Sequence, residues 1–138
     1  MGLILVDSSV WIDLLLDRPT LQADALTRCL DAGQALAIGD LILMEVLQGA
    51  RHARRVSEAL LLFRHMTPIV ISDLAVARQA AHHYRDLRSR GITIRKTIDT
   101  LIATRCILDG LPLLYSDRDF DPFVEHLGLF SAMNLLPE

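Results

Sequence analysis

The chain has 138 residues, 51% of them apolar, with a formal net charge of −3 and a mean hydropathy of +0.34. That length suits one domain, spanning residues 1–138, with a single sizeable core. No apolar run reaches the roughly 18–20 residues a membrane span requires, and Asp7 interrupts the first run too early for a signal peptide, so a cytoplasmic protein without membrane contact is expected.

Leu3-Ile4-Leu5-Val6 reads as a buried strand, and Asp7 stands at its carboxyl end. Ser8 or Ser9 then caps a helix that runs to about Leu16 and is broken by Pro19. Thr20 caps a second helix with apolar positions Leu21, Ala25, Leu26, Cys29 and Leu30, closed by Gly33. Leu36-Ala37-Ile38 is short enough for a strand, and Asp40 caps the helix that carries Glu45 up to Gly49. A further helix occupies roughly Ala53 to Arg64. Pro68-Ile69-Val70-Ile71 is the next strand, its proline at the first position where no ladder donor is lost. Ser72 caps a long amphipathic helix ending near Arg90-Gly91.

Thr97 caps the helix Ile98 to Leu108, with Gly110 just past its end. Leu111 to Tyr115 is a strand, followed at its carboxyl end by Ser116-Asp117-Arg118-Asp119-Phe120. Leu129 to Leu135 adds an edge strand. Cys29 and Cys106 lie in apolar helical patterns without paired-ligand spacing and read as buried free thiols. Strands separated by helices imply an α/β fold in three layers, a central parallel sheet flanked by helices on both faces.

Four acids stand out against this frame. Asp7 has two readings: a helix cap, or a carboxylate facing the crevice where α/β folds place ligands. The serines beside it supply alternative caps. Asp13, six positions on, reads as a solvated residue. Glu45 interrupts Leu41-Ile42-Leu43-Met44-Glu45-Val46-Leu47, a helix apolar nearly all round and so expected to be buried on most sides. An ionised carboxylate there is costly unless paired or bound to a cation. Gly49 lies over the same face and leaves room for a substrate backbone, although helix termination explains it as well.

Asp99 falls in the first turn of its helix, where an acid also complements the helix dipole. Asp117 follows a strand and faces the same crevice as Asp7 if the two strands are neighbours. Asp119 supports it or caps the next helix, and Asp121, ahead of Pro122, reads as structural. Acids converging at one sheet edge repel one another unless a divalent cation holds them. Hard ions such as Mg²⁺ or Mn²⁺ favour carboxylate and water oxygens, and no His/Cys cluster suited to zinc is present.

The overall charge looks wrong for a protein that handles nucleic acid. Withdrawing four of the 17 acids into a metal site leaves the rest of the surface balanced against 14 Lys+Arg. The bases are also clustered, Arg51, Arg54 and Arg55 with His52 in one patch, Arg85, Arg88, Arg90, Arg95 and Lys96 in another. Local basic patches can guide a polyanion even under a negative total. Solvated helix faces are the competing explanation for each.

Val6-Asp7-Ser8-Ser9-Val10-Trp11-Ile12-Asp13, Glu45 with Gly49, Asp99-Thr100-Leu101-Ile102-Ala103 and Ser116-Asp117-Arg118-Asp119-Phe120 together resemble the PIN-domain ribonucleases. The similarity runs from about residue 3 to residue 135 and is greatest to the VapC toxins of VapBC toxin–antitoxin modules. The resemblance implies a PIN fold in which Asp7, Glu45, Asp99 and Asp117 form the acidic quartet around Mg²⁺ or Mn²⁺, with Asp119 as an additional ligand. Ser9 and Ser116 would support it. Ser116 stands where the family often has Thr, a departure that keeps the hydroxyl. It further implies an endoribonuclease acting on structured RNA such as transfer RNA, a VapB antitoxin whose C-terminal segment blocks the site, and a homodimer formed through helical surfaces. Arg51, Arg54, Arg55, Arg95 and Lys96 are the candidate phosphate contacts, which would position a backbone without reading sequence.

Two other small α/β classes fit less well. A receiver-like phosphoacceptor wants an acidic pair after its first strand and a lysine after its fifth, whereas Ser8 follows Asp7 and Lys96 precedes a helix. A HAD-type phosphatase wants Asp-x-Asp where this chain has Asp7-Ser8-Ser9. The remaining alternative is a PIN fold that binds RNA or a partner without cutting it.

Overall fold

The computed structural model describes residues 2–137; the outermost residues of the expected domain, Met1 and Glu138, lie outside the described residues. Its element order is β1 (Ile4–Val6), α1 (Ser8–Leu15), α2 (Leu21–Asp31), β2 (Leu36–Gly39), α3 (Asp40–Gly49), α4 (Ala53–Phe63), β3 (Thr67–Ile69), α5 (Leu74–Ser89), α6 (Thr97–Asp109), β4 (Leu113–Leu114) and α7 (Asp121–Leu127). Short 3₁₀ turns occupy Arg118–Phe120 and Ala132–Asn134.

All three strand pairings are parallel, in the order β3-β2-β1-β4. The sheet therefore grows outward from β1 through β2 to β3, then resumes on the other side of β1 with β4. That reversal opens a crevice beyond the carboxyl ends of β1 and β4. Every residue of β1, β2 and β4 is buried, as a sheet covered on both faces requires. Helices α1 to α4 pack among themselves and α5 to α7 do likewise, so seven helices flank the sheet. The expected α/β class and its parallel sheet are present.

The core joins the sheet residues to Trp11, Phe120 and Phe123, each fully buried. Trp11 meets Phe63 edge-on, with ring centroids 5.0 Å apart, and so ties α1 to α4. Gly39 closes β2 because a Cβ there would stand 2.6 Å from the side chain of Ile71. Gly110 ends α6 with φ +65°, a conformation that suits glycine. Cys29 and Cys106 are buried and free.

Thr20 caps α2 as expected, its hydroxyl accepting the Ala23 N–H at 3.0 Å, whereas four other helix starts differ from the sequence expectations. Asp7, rather than Ser8 or Ser9, caps α1, and Asp73, rather than Ser72, caps α5. Asp40 is the first residue of α3 and supplies no cap; its Oδ1 instead accepts the Ile71 N–H at 2.8 Å. Thr97 opens α6 without capping it, since Lys96 holds the cap position and makes no side-chain cap bond. At Asp7 and at Asp73 a carboxylate takes the cap that a neighbouring serine was expected to supply.

Strand lengths also contract. Leu111–Tyr115 narrows to Leu113–Leu114, and Pro68–Ile71 shifts to Thr67–Ile69 with the proline inside an edge strand. Leu129–Leu135 does not form a strand. One parallel bridge links Ser131 to Leu113 before the chain turns into the 3₁₀ segment.

Candidate metal and RNA site

The crevice beyond β1 and β4 contains the site. Asp7 leaves the end of β1, Glu45 projects from α3, Asp99 from the first turn of α6, and Asp117 from the segment after β4. These four acids line one cavity of about 340 Å³, together with Ser8, Ser9, Asp13, Lys96 and Ser116. Asp119 joins them from the following turn: Asp99, Asp117 and Asp119 each offer a carboxylate oxygen within 4.8 Å of the others.

Asp7 plays both roles that its sequence position allows. Its Oδ2 accepts the Ser9 N–H at 3.0 Å and the Ser9 hydroxyl at 2.6 Å, which caps α1 and fixes the carboxylate. Its Oδ1 is buried without a hydrogen-bond partner. Asp99 Oδ2 is likewise buried and unpartnered. Leaving a buried charged acceptor unsatisfied is expensive, so two such atoms on acids that share a cavity imply that something else completes them.

The electrostatics point the same way. Burial pushes the Asp7 carboxyl above its ordinary range, against the opposing hydrogen bonds from Ser9. Burial also raises Glu45, and the charge of Asp7 adds to it. Asp99 is pushed up to about 7, by burial first and then by Asp7 and Asp117. Three acids that resist ionisation together are three acids short of positive charge. A hard divalent cation fits this oxygen-only donor set.

Asp117 behaves differently. Its partial burial works to raise the carboxyl, but the Asp119 N–H on Oδ1 (2.9 Å) and the Lys96 ammonium on Oδ2 (3.0 Å) together hold it below the ordinary value. Arg95 pairs with Asp119 at 3.3 Å. The segment that precedes α6 thus brings two successive bases onto the two acids after β4.

Hydroxyls join the pieces. Ser8 donates to Glu45 Oε1 at 3.1 Å. The Ser116 N–H donates to Ser9 Oγ at 3.1 Å, and the Ser116 hydroxyl donates to Asp13 Oδ2 at 3.0 Å. Asp13 is therefore not solvated as the sequence suggested: it is 8% exposed, and Thr20 and Arg18 also reach it. The signal for it was available, because Asp13 interrupts an apolar helix just as Glu45 does. Ser8 carried no signal apart from its neighbours.

The second predicted basic patch splits, with Arg85 and Arg88 lining a separate hollow on α5 and Arg90 paired with Asp86, and the five candidate phosphate contacts lie elsewhere. Lys96 lines the acidic cavity and Arg95 borders it, whereas Arg51 and Arg55 line a separate groove of about 490 Å³ between α1, α3 and α4. Ile12 belongs to both cavities, so they adjoin. Arg55 donates to the Leu15 carbonyl at 2.6 Å, and the exposed Arg54 pairs with Glu58. Gly49 faces this groove rather than the acids. Helix α3 itself buries only Ile42 and Val46, less than its all-round apolar sequence implied.

A parallel sheet that reverses at β1, with acids gathered beyond the strand ends, is an open α/β arrangement, and the sequence comparison identifies its family. The model of the PIN domain matches residues 4–124, and the chain belongs to that family. It is 31% identical over 131 residues to "VapC ribonuclease Mb1587" of Mycobacterium bovis, covering 94% of this chain and 98% of the relative. "Ribonuclease VapC11" of Mycobacterium tuberculosis matches at the same identity and coverage. Among solved structures, VapBC2 from Rickettsia felis bound to a promoter DNA fragment aligns with a TM-score of 0.72 at 17% identity, over 94% of this chain and 96% of that one. DNA-bound VapBC from Salmonella typhimurium aligns with a TM-score of 0.71 at 15% identity, over 95% and 97%. No helix among the described residues is long and apolar enough to cross a membrane.

Proposed function

We propose that this chain is a metal-dependent endoribonuclease of the VapC kind, a cytoplasmic toxin held in check by a VapB-type antitoxin. The observation that carries this reading is the pair of buried, unpartnered carboxylate oxygens, Asp7 Oδ1 and Asp99 Oδ2, in a cavity with two further acids. The relatives named as ribonucleases support it over nearly the full length of the chain.

Asp7, Asp99, Asp117 and Glu45 would hold Mg²⁺ or Mn²⁺, with Asp119 in reserve. When bound, such a cation supplies Lewis acidity to the scissile phosphodiester and acidifies the attacking water. The protein's own residues do the positioning. Ser9 locks Asp7 with one oxygen free, Ser8 aims Glu45, and Ser116 bridges the two strand ends through Ser9 and Asp13. Arg95 and Lys96 at the cavity, and Arg51 and Arg55 along the groove with Arg54 on the same helical stretch, would contact phosphates of structured RNA, with transfer RNA as the candidate substrate.

The test is cleavage of end-labelled transfer RNA and of an unstructured RNA, in Mn²⁺ and in EDTA. Metal-dependent cuts that disappear in Asp7→Asn and Asp99→Asn support the reading. Unchanged cleavage in both variants overturns the site assignment. Metal-independent RNA binding without any cut favours a silent binding module instead.

The antitoxin reading draws on the groove beside the site. Ile12, Leu15, Leu16 and Val46 give it an apolar floor, and Arg51 and Arg55 stand along it, a surface suited to an amphipathic segment bearing acids. The solved neighbours include VapBC2 from Rickettsia felis and a structure titled a toxin–antitoxin complex from Klebsiella pneumoniae. Copurification with the product of an adjacent small reading frame, lost in Leu16→Glu, would support it. Light scattering would test the homodimer.

A further inference from the structure

We propose that Lys96 is the resident counter-ion of the acidic cavity: it holds Asp117 Oδ2 until a divalent cation takes that oxygen, and the released ammonium then passes to a phosphate of the bound RNA. This rests on the metal-dependent nuclease reading and adds an order of events to it.

The geometry of Asp117 carries the inference. Its Oδ1 accepts the Asp119 N–H at 2.9 Å, which fixes the carboxylate and leaves Oδ2 free of backbone donors. The Lys96 ammonium already sits on that oxygen at 3.0 Å. Asp7 Oδ1 and Asp99 Oδ2, by contrast, have no partner at all. A cation drawn to those two oxygens and on to Asp117 Oδ2 meets the Lys96 ammonium 3.0 Å from that oxygen, and repulsion between two adjacent positive groups favours the exposed ammonium leaving.

Lys96 is built to move. Its backbone is fixed at the start of α6, where its carbonyl accepts the Asp99 N–H at 3.2 Å. Its side chain makes no cap bond and is 59% exposed, so the ammonium can swing on a flexible four-carbon stem while the helix stays in place. Exposed pairs of this kind are weak, which makes the exchange easy. An ammonium at the cavity mouth, freed from its carboxylate, is a point charge suited to phosphate. Loading the ion and capturing the substrate would thereby be coupled: without a cation, Lys96 is occupied and the acids repel RNA.

The test uses the full chain without RNA first. Isothermal titration of Mn²⁺ at fixed pH and salt compares wild type with Lys96→Met and Lys96→Arg. Removing the competing ammonium should tighten Mn²⁺ binding by roughly five-fold in Lys96→Met, the equivalent of one exposed ion pair. Binding of labelled RNA on ice in Ca²⁺ should weaken by a similar factor in Lys96→Met and return in Lys96→Arg. Equal or weaker Mn²⁺ affinity in Lys96→Met overturns the counter-ion role. Tighter Mn²⁺ with unchanged RNA binding overturns the hand-off to phosphate. A wild-type protein that takes up no Mn²⁺ overturns the metal reading itself and this inference with it.

Discussion

Helix α6 buries polar side chains at two levels and treats them in opposite ways. In its first turn Asp99 is 4% and Thr100 is 3% exposed, and Asp99 Oδ2 and Thr100 Oγ1 both lack a partner. One turn beyond Thr100, Thr104 is fully buried and bonded to His83 Nδ1 at 3.0 Å. The Gln79 amide nitrogen lies 3.1 Å from His83 Nε2, so with the amide donating, the imidazole proton sits on Nδ1 and points at Thr104. Burial, and then the neighbouring His82, hold His83 below its ordinary pKa and keep it neutral. The Thr104 level is complete, and its role is to join α6 to α5. The Asp99 level is incomplete, an arrangement that costs stability in the isolated chain and that the proposed cation would relieve at Asp99.

The contrast is most sharply tested by exchanging an acid at the incomplete level. Asp99→Asn should lower metal-dependent RNA cleavage by about a thousand-fold or more, a loss of several kcal/mol of transition-state stabilisation. The same substitution should raise the melting temperature of the EDTA-treated protein by about 3–5 °C, because it removes a buried charge from among like charges. A variant that loses activity and also melts lower would mean that Asp99 stabilises the fold, and the comparison would fail.

At the complete level the effects should reverse. Thr104→Val strands His83 Nδ1 and should cost about 1–3 kcal/mol, read from urea unfolding, while cleavage at low temperature stays near wild type. A large loss of activity in a folded Thr104→Val protein would place this level in the site as well.

Asp99 also predicts a pH dependence. Its carboxyl has an ordinary pKa of 3.8 and stands at about 7 when folded. Between those values the folded protein binds the proton that the unfolded chain releases, so stability present below about pH 4 is lost as the pH rises to about 7. Thermal melts in EDTA should therefore fall from pH 5 to pH 7, and Mn²⁺ should restore stability at pH 7 more than at pH 5, where protons compete with it. Melting temperatures flat across this range would remove the evidence for uncompensated charge.

The smallest expected effect is at the bridge between strand ends. Ser116→Ala removes the hydroxyl that Asp13 accepts but leaves the backbone bond to Ser9, so cleavage should fall by about ten-fold, in line with residues that orient ligands from behind. A loss as deep as that of Asp99→Asn would make Ser116 a direct participant.

Several elements of this arrangement were legible because they depend on short-range patterns. Leu3 to Val6 is apolar throughout, as a strand covered on both faces must be, and Asp7 ends it. Asp99 is fixed to one turn of α6 by the helical repeat. The helix caps were less legible, since Ser8, Ser9 and Ser72 compete with adjacent carboxylates for the same N–H groups. Asp40, expected as a cap, instead accepts the N–H of Ile71, far along the chain, a partner that no local pattern indicates.

Residues, order and spacing thus determined the α/β class, the parallel sheet and the identity of four acids, because hydrophobic periodicity and charge burial act locally. Only the tertiary structure decided that β1 and β4 are neighbours, which brings Asp7 and Asp117 to one crevice across more than a hundred residues. It alone separated the two oxygens of Asp7 into a cap and a free acceptor. It also buried Asp13 behind Ser116 and set Lys96 on Asp117. Hydrogen bonds between distant segments have no period to read, and they exist only once the sheet has assembled.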